Sequence, residues 1–279
     1  MRRAALALLV VLAVVAGVGL AFWRGSGLLP DPEGCQATVE GHTVTLDTEQ
    51  AENATLIAAI GVRRGLPARA VSIALATAYQ ESKIRNLAGG DRDSIGIFQQ
   101  RPSQGWGTAA QVRNPYYSIN AFYDVLAKVG NYQSMRITEA AQRVQRSGFP
   151  EAYQGHAADA RALASALTGY SPGGKFTCVV HQPSTRGSGD RVVALVKRAY
   201  GDIPIARTGT RQDVALRVSG ASGERLAWSV AHFVVAHGVQ LKQDEVSFEG
   251  LHWRIGRHSE KGWTPGGTGT RTRLVISMG

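Results

Sequence analysis

Residues 67–102 read PARAVSIALATAYQESKIRNLAGGDRDSIGIFQQRP, and this stretch decides the fold. Pro67 suits the first turn of a helix, where its fixed φ fits and its missing N–H costs nothing. From Pro67 to about Lys83 the chain is Ala-rich and carries Val71, Ala74, Leu75 and Ala78 at helical spacing. Glu81 follows Ala78 by three residues and Ala74 by seven, so it shares their face. A carboxyl at the end of a buried apolar stripe loses hydration, which disfavours its charged form and raises its pKa. Such a group stays protonated near neutral pH and can hand its proton to a leaving oxygen. An ordinary helix-end glutamate snorkelling to water fits the same geometry. A Gly/Asp-rich run, Gly89 to Ser94, then leads into 94–102.

Upstream, Ala37–Glu40 and Thr43–Leu46 alternate around Gly41-His42, which predicts a short hairpin. Asp47 and Gln50 have the spacing of a capping box, opening a helix to about Arg64 that Gly65 ends. Downstream, helices are predicted near 115–129, 138–147 and 156–167. Beyond a Pro/Ser/Gly-rich stretch, 191–200 and 223–237 read as helices. Val214–Val218, the alternating pairs Val246/Phe248 and Leu251/Trp253/Ile255, and Arg273–Met278 read as strands. The expected fold class is α+β: a mainly helical domain with a small β element, then a small α+β domain.

Met1, Arg2 and Arg3 precede an apolar run from Ala4 to Trp23. Twenty residues at about 1.5 Å each give about 30 Å, the thickness of a hydrocarbon core. The expectation is a transmembrane anchor over 1–24, cytoplasmic at its arginines, with Phe22 and Trp23 at the interface. A cleaved signal peptide with a small-residue site at 16–19 is the alternative. Both export the rest. The expected organisation is anchor 1–24, linker 25–34, domain 35–178, linker 179–189 and domain 190–279.

The two cysteines, Cys35 and Cys178, bracket the first of these domains without metal-ligand spacing. In an exported chain they are expected to form a disulfide. Lys+Arg 31 against Asp+Glu 21 gives a net charge of +10, suited to a polyanionic environment such as a cell wall. The excess is diffuse: residues 35–178 hold 14 basic and 11 acidic residues, and 190–279 hold 13 and 8. No dense basic run argues for nucleic acid. Gly-x-Ser-x-Gly, HExxH and phosphate-loop motifs are absent. His232 and His237 are five apart, the wrong spacing for one metal-binding helix face. No metal or cofactor is expected.

Glu81-Ser82, followed by Ser94-Ile-Gly96-Ile-Phe98-Gln99-Gln-Arg-Pro102, resembles the lysozyme-like lytic transglycosylase superfamily. Gly96, Gln99 and Pro102 fall in register with its Gly-x-x-Gln-x-x-Pro element, and Asn114-Pro115 with Asn120–Tyr123 is similar to a later helix. The block 96–107 resembles exported lysozyme-like domains of actinobacterial cell-wall enzymes. The likeness covers about residues 50–155.

The resemblance implies a lysozyme-like domain whose single catalytic acid/base is Glu81. It implies that Ser94, Gly96 and Gln99 face Glu81 on the small β element and contact sugar N-acetyl groups. Trp106 and Tyr123 either stack on sugar faces or fill the core. The superfamily's Tyr-Asn pair in a later helix is not matched. Gln145-Arg146-Ser147 stands there, with Gln145 a substrate-binding candidate, and the tyrosine that steadies the acid is either missing or supplied by Tyr153. Asp91 and Asp93 sit in the loop either as turn residues or, for Asp91, as the second carboxylate of an inverting hydrolase.

The activity implied is cleavage of the β-1,4 bond between N-acetylmuramic acid and N-acetylglucosamine. The enzyme is a lytic transglycosylase, or a muramidase if water is the acceptor. A catalytically silent glycan-binding wall module is the alternative from another class. The expected partners are peptidoglycan strands, the membrane through the first helix, and a cell-wall protein through 190–279. The expected location is the cell membrane, with most of the chain outside.

Overall fold

The computed structural model describes residues 2–25, 31–149, 151–209 and 212–279; in its first helix, side chains are described for residues 9–20. Residues 1–32 and Glu33–Gly279 are two compact units.

In the first unit, α1 spans Arg2–Gly25, and its described side chains are exposed. Among the described residues no helix is long and apolar enough to cross a membrane, so the transmembrane helix expected over 1–24 is not found there. Met1, the side chains of Phe22 and Trp23, and residues 26–30 lie outside the described residues.

The second unit opens with β1 (Gly34–Val39) and β2 (His42–Leu46), paired antiparallel from Val39↔His42 to Cys35↔Leu46. Glu40 and Gly41, both at positive φ, form the two-residue turn between them. A third strand, β3 (Phe176–Val179), pairs with the other edge of β1. Cys35 and Cys178 are directly opposite in that register and form a disulfide. On the chain-entropy account, closing so long a loop stabilises by about 4–5 kcal/mol.

Helix α2 (Thr48–Arg63) begins at the expected capping box: Asp47 accepts from Gln50 N, and Gln50 Oε1 accepts from Asp47 N. It buries residues on nearly every face, including Ala54, Leu56, Ile57, Ala58 and Ile60, so it is a central helix. Helix α3 (Ala68–Ser82) crosses it, with Pro67 as the N-cap. Then follow α4 (Ala109–Arg113), α5 (Pro115–Leu126), α6 (Ile137–Gln145), a 3-10 turn (Ala152–His156) and α7 (Ala157–Leu167), which packs along α3.

Past β3 come α8 (Gly189–Tyr200), β4 (Ile205–Arg207), β5 (Val214–Arg217), α9 (Gly220–Ala236) and α10 (Gly238–Leu241). They are followed by β6 (Glu245–Phe248), β7 (Leu251–Arg254), β8 (Thr264–Pro265) and β9 (Arg273–Ser277). The strands form an antiparallel sheet in the order β4-β5-β9-β6-β7-β8.

The stretches expected as separate domains share one hydrophobic core. Helix α9 packs on α2 and α7, and two of its side chains hydrogen-bond the backbone of the first half. Ser229 Oγ donates to Leu167 O at 2.6 Å, and the His232 ring bonds Ala166 O through Nδ1. Trp253 donates to Cys178 O and Trp263 to Phe176 O, both at 2.9 Å. Burial of indole rings with their N–H groups satisfied is strongly favourable. These tryptophans hold β3, and with it the disulfide, from the far side. Residues 33–279 are thus α+β in one compact unit.

Candidate active site

Glu81 is in the last turn of α3, on the stripe that buries Ala74 and Ala78. The helix ends there in two left-handed residues, Lys83 (φ 56) and Ile84 (φ 60). Lys83 N bonds Tyr79 O, the 5→1 bond of an αL cap, and Ile84 N bonds Ala78 O, so the last carbonyls are satisfied. A β-branched residue at positive φ is strained, by about 1–3 kcal/mol. Helix α2 holds it in place: Asn53 Nδ2 donates to Ile84 O and Gln50 Nε2 to Lys83 O, each at 2.8 Å. Asn53, part of a glycosylation-type triplet, is therefore occupied and buried. Arg85 pairs with Asp47 and Glu49 and fixes the exit of the loop.

Two groups converge on the Glu81 carboxyl. Tyr153, from the 3-10 turn, donates its hydroxyl to Oε1 at 2.7 Å. Gln145, the last residue of α6, makes a second side-chain hydrogen bond to Glu81. Gln145 is itself oriented by donating to Phe98 O at 2.8 Å. Burial pushes the Glu81 pKa up, and the hydrogen bonds from Tyr153 and Gln145 pull against it without cancelling it. Ser147 hydrogen-bonds the Tyr153 hydroxyl, whose own pKa burial raises further. Tyr153, and no residue among 146–149, is the tyrosine hydrogen-bonded to Glu81.

Ser82 has a role the sequence reading did not assign. Its Oγ donates within 3.1 Å to Ala78 O and 2.7 Å to Ile97 O, and accepts from Arg85 N. A buried hydroxyl directly after the acid therefore ties the end of α3 to the 94–100 loop. The available signal was a small polar residue directly beside Glu81 at the end of an Ala-rich helix.

The small β element opposite Glu81 consists of two isolated bridges, Leu87↔Gly96 and Ile95↔Gln100. Burial of Ser94 and Gly96 does not fit the sugar contacts expected of these two residues. Gly96 is buried, at φ 81, and a Cβ there would come within 2.8 Å of Val112 O. Glycine is required by backbone packing, with no space left there for a polysaccharide. Ser94 is buried as well. Gln99, at φ 46, folds its amide onto Gly96 O at 3.1 Å and lies over Gly90, where any Cβ would collide with it.

The aromatic candidates divide. Tyr123 is fully buried and donates to Ile57 O at 3.0 Å, so it joins α5 to α2 and is unavailable for stacking. Trp106 is partly buried and lines a cleft of about 420 Å³ with Gln104, Val125, Val144, Gln145 and Arg146. Gln145 thus belongs to both the cleft wall and the Glu81 cluster.

Of the loop acids, Asp93 accepts from Arg101 Nε, Ser103 N and Ser103 Oγ, which hold its carboxylate far below the usual range. Asp91 is 91% exposed; its closest ion-pair contact is Arg92 at 4.0 Å, and its backbone carbonyl accepts from Ser94 N. Asp93 is a loop clasp. Asp91 is not among the groups held at Glu81.

Beside the cluster, His156 bonds Gln80 Oε1 at 3.1 Å and stacks on Tyr79. Burial lowers its pKa, aided by Lys83. Among the described residues no group of His, Cys, Asp and Glu has the makings of a metal site. No protein-family model matches the chain, and no curated protein matches it.

Proposed function

We propose that this chain cleaves the β-1,4 bond between N-acetylmuramic acid and N-acetylglucosamine in peptidoglycan, with Glu81 as the single acid/base. The observation that carries this reading is the half-buried Glu81 carboxyl, its pKa raised, held by Tyr153 and Gln145 next to an open cleft. A carboxyl whose protonated form is favoured by burial is what protonation of a glycosidic oxygen needs.

In the first step, protonated Glu81 gives its proton to the leaving oxygen as the C1–O bond breaks. Tyr153 and Gln145 favour the carboxylate that results, so the site suits both charge states. The substrate's own N-acetyl group stabilises the oxocarbenium-like centre, an exception to the two-carboxylate scheme. Glu81 then takes the proton from the muramyl 6-hydroxyl, whose oxygen closes a 1,6-anhydro ring. Exposed Asp91 and clasped Asp93 favour this lyase reading over an inverting hydrolase, which needs a second carboxylate positioned to activate water. The Cys35–Cys178 disulfide supports an oxidising compartment. Within the same proposal, α1 serves as a membrane anchor or export signal, and the net positive charge favours approach to an anionic wall.

The test is digestion of purified peptidoglycan by the full chain. Anhydro-muropeptides support the lyase, new reducing ends make it a muramidase, and glycan retention without any product makes it a binding module.

A further inference from the structure

We propose that Arg146 recognises a carboxylate on the muramyl unit and so sets substrate specificity in the cleft beside Glu81. This deepens the glycan-cleaving reading and rests on it.

Arg146 is the charged residue in the lining of the 420 Å³ cleft, whose other walls include Trp106, Val125 and Val144. It is exposed, and its guanidinium makes no ion pair or side-chain hydrogen bond among the described residues.

The backbone gives a second, independent observation. Arg146 caps α6 in the left-handed conformation, φ 53, with its N–H on Gln142 O at 2.8 Å. Glycine is the favoured residue there, since a side chain at positive φ is strained. The strain sits one residue after Gln145, whose amide is anchored on Phe98 O and Glu81. The cation is therefore mounted on a fixed piece of backbone at the site, at the expense of local comfort.

An N-acetylated glycan backbone is neutral, so a free guanidinium gains nothing from it beyond ordinary polar contact. A carboxylate matches the planar fork and can be held by two parallel hydrogen bonds. Muramyl units carry that chemistry in two places: on the lactyl group where the peptide has been removed, and on the stem peptide where it is present.

The test measures glycan affinity in the full chain carrying Glu81→Gln, which is expected to bind without cutting, with and without Arg146→Gln or Arg146→Gly. The probes are peptide-bearing strands, denuded strands with free lactyl carboxylates, and chitin oligosaccharides, which have no carboxylate. Arg146→Gln should weaken binding of a carboxylate-bearing strand about tenfold and leave chitin binding unchanged. Loss on peptide-bearing strands alone identifies the stem as the source, and loss on denuded strands identifies the lactyl group. Arg146→Gly should show the same selectivity loss with a melting temperature equal to or above the parent's, which separates recognition from folding. An equal loss on all three probes, or no loss on either carboxylate-bearing probe, overturns the proposal. Wild-type turnover is read separately: selective binding without cleavage leaves Arg146 as the reader and rejects only the enzymatic assignment.

Discussion

The hydroxyl of Tyr153 donates to Oε1 of Glu81 at 2.7 Å across 72 residues of sequence. This bond opposes burial, the stronger effect, in setting how readily the carboxyl ionises. Removing it with Tyr153→Phe should raise the Glu81 pKa further. A general acid works while protonated, so activity falls as pH rises through its pKa. The alkaline limb of the pH–rate profile should therefore move to higher pH in the variant, while the maximal rate drops because the carboxyl is less well oriented. A limb that stays in place would mean that the bond does not act on the titrating group.

Stability carries the same signature with a definite sign. The folded pKa of Glu81 lies above its unfolded value, so the unfolded chain loses this proton first as pH rises. Native stability from this group is full below the unfolded pKa of about 4.3 and is eroded as pH climbs toward the folded value. Glu81→Gln removes the titration. The variant should melt above the wild type at neutral pH, with the gap closing toward pH 4, in paired thermal scans.

The shared core makes the two halves depend on each other. Truncation after residue 189 would strip α9 from α2 and α7 and leave buried faces such as that of Ile57 and Ile60 with fewer partners. Trp253 and Trp263 would no longer hold Cys178 O and Phe176 O. The full chain should unfold in one cooperative transition, and the truncated chain should lose near-UV circular dichroism. Two well-separated transitions in the full chain would contradict a common core.

What could be read from the sequence was what is encoded locally. The Asp47/Gln50 capping box, the Ala-rich stripe of α3 and the position of Glu81 on it each depend on residues within a few turns. The disulfide followed from two cysteines bracketing a segment. Strand β3 was missed because Phe176–Val179 becomes a strand only by pairing with β1, far away in sequence. Tyr123 was ambiguous because its partner, Ile57 O, belongs to another helix. Gly96 was assigned to sugar approach, since nothing near it in sequence announces that Val112 O lies against it. The apolar run 54–61 in α2 did contain a hint of the common core: a helix apolar on all sides needs covering on all sides.

The most direct test of the central claim is turnover of purified peptidoglycan by the full chain and by its Glu81→Gln variant, followed by chromatography of the released muropeptides. The account expects anhydro-muropeptides from the wild type, a loss of about 10²–10⁴-fold in the variant, and glycan binding retained in both. Equal turnover by the two proteins would contradict the assignment of Glu81 as the acid.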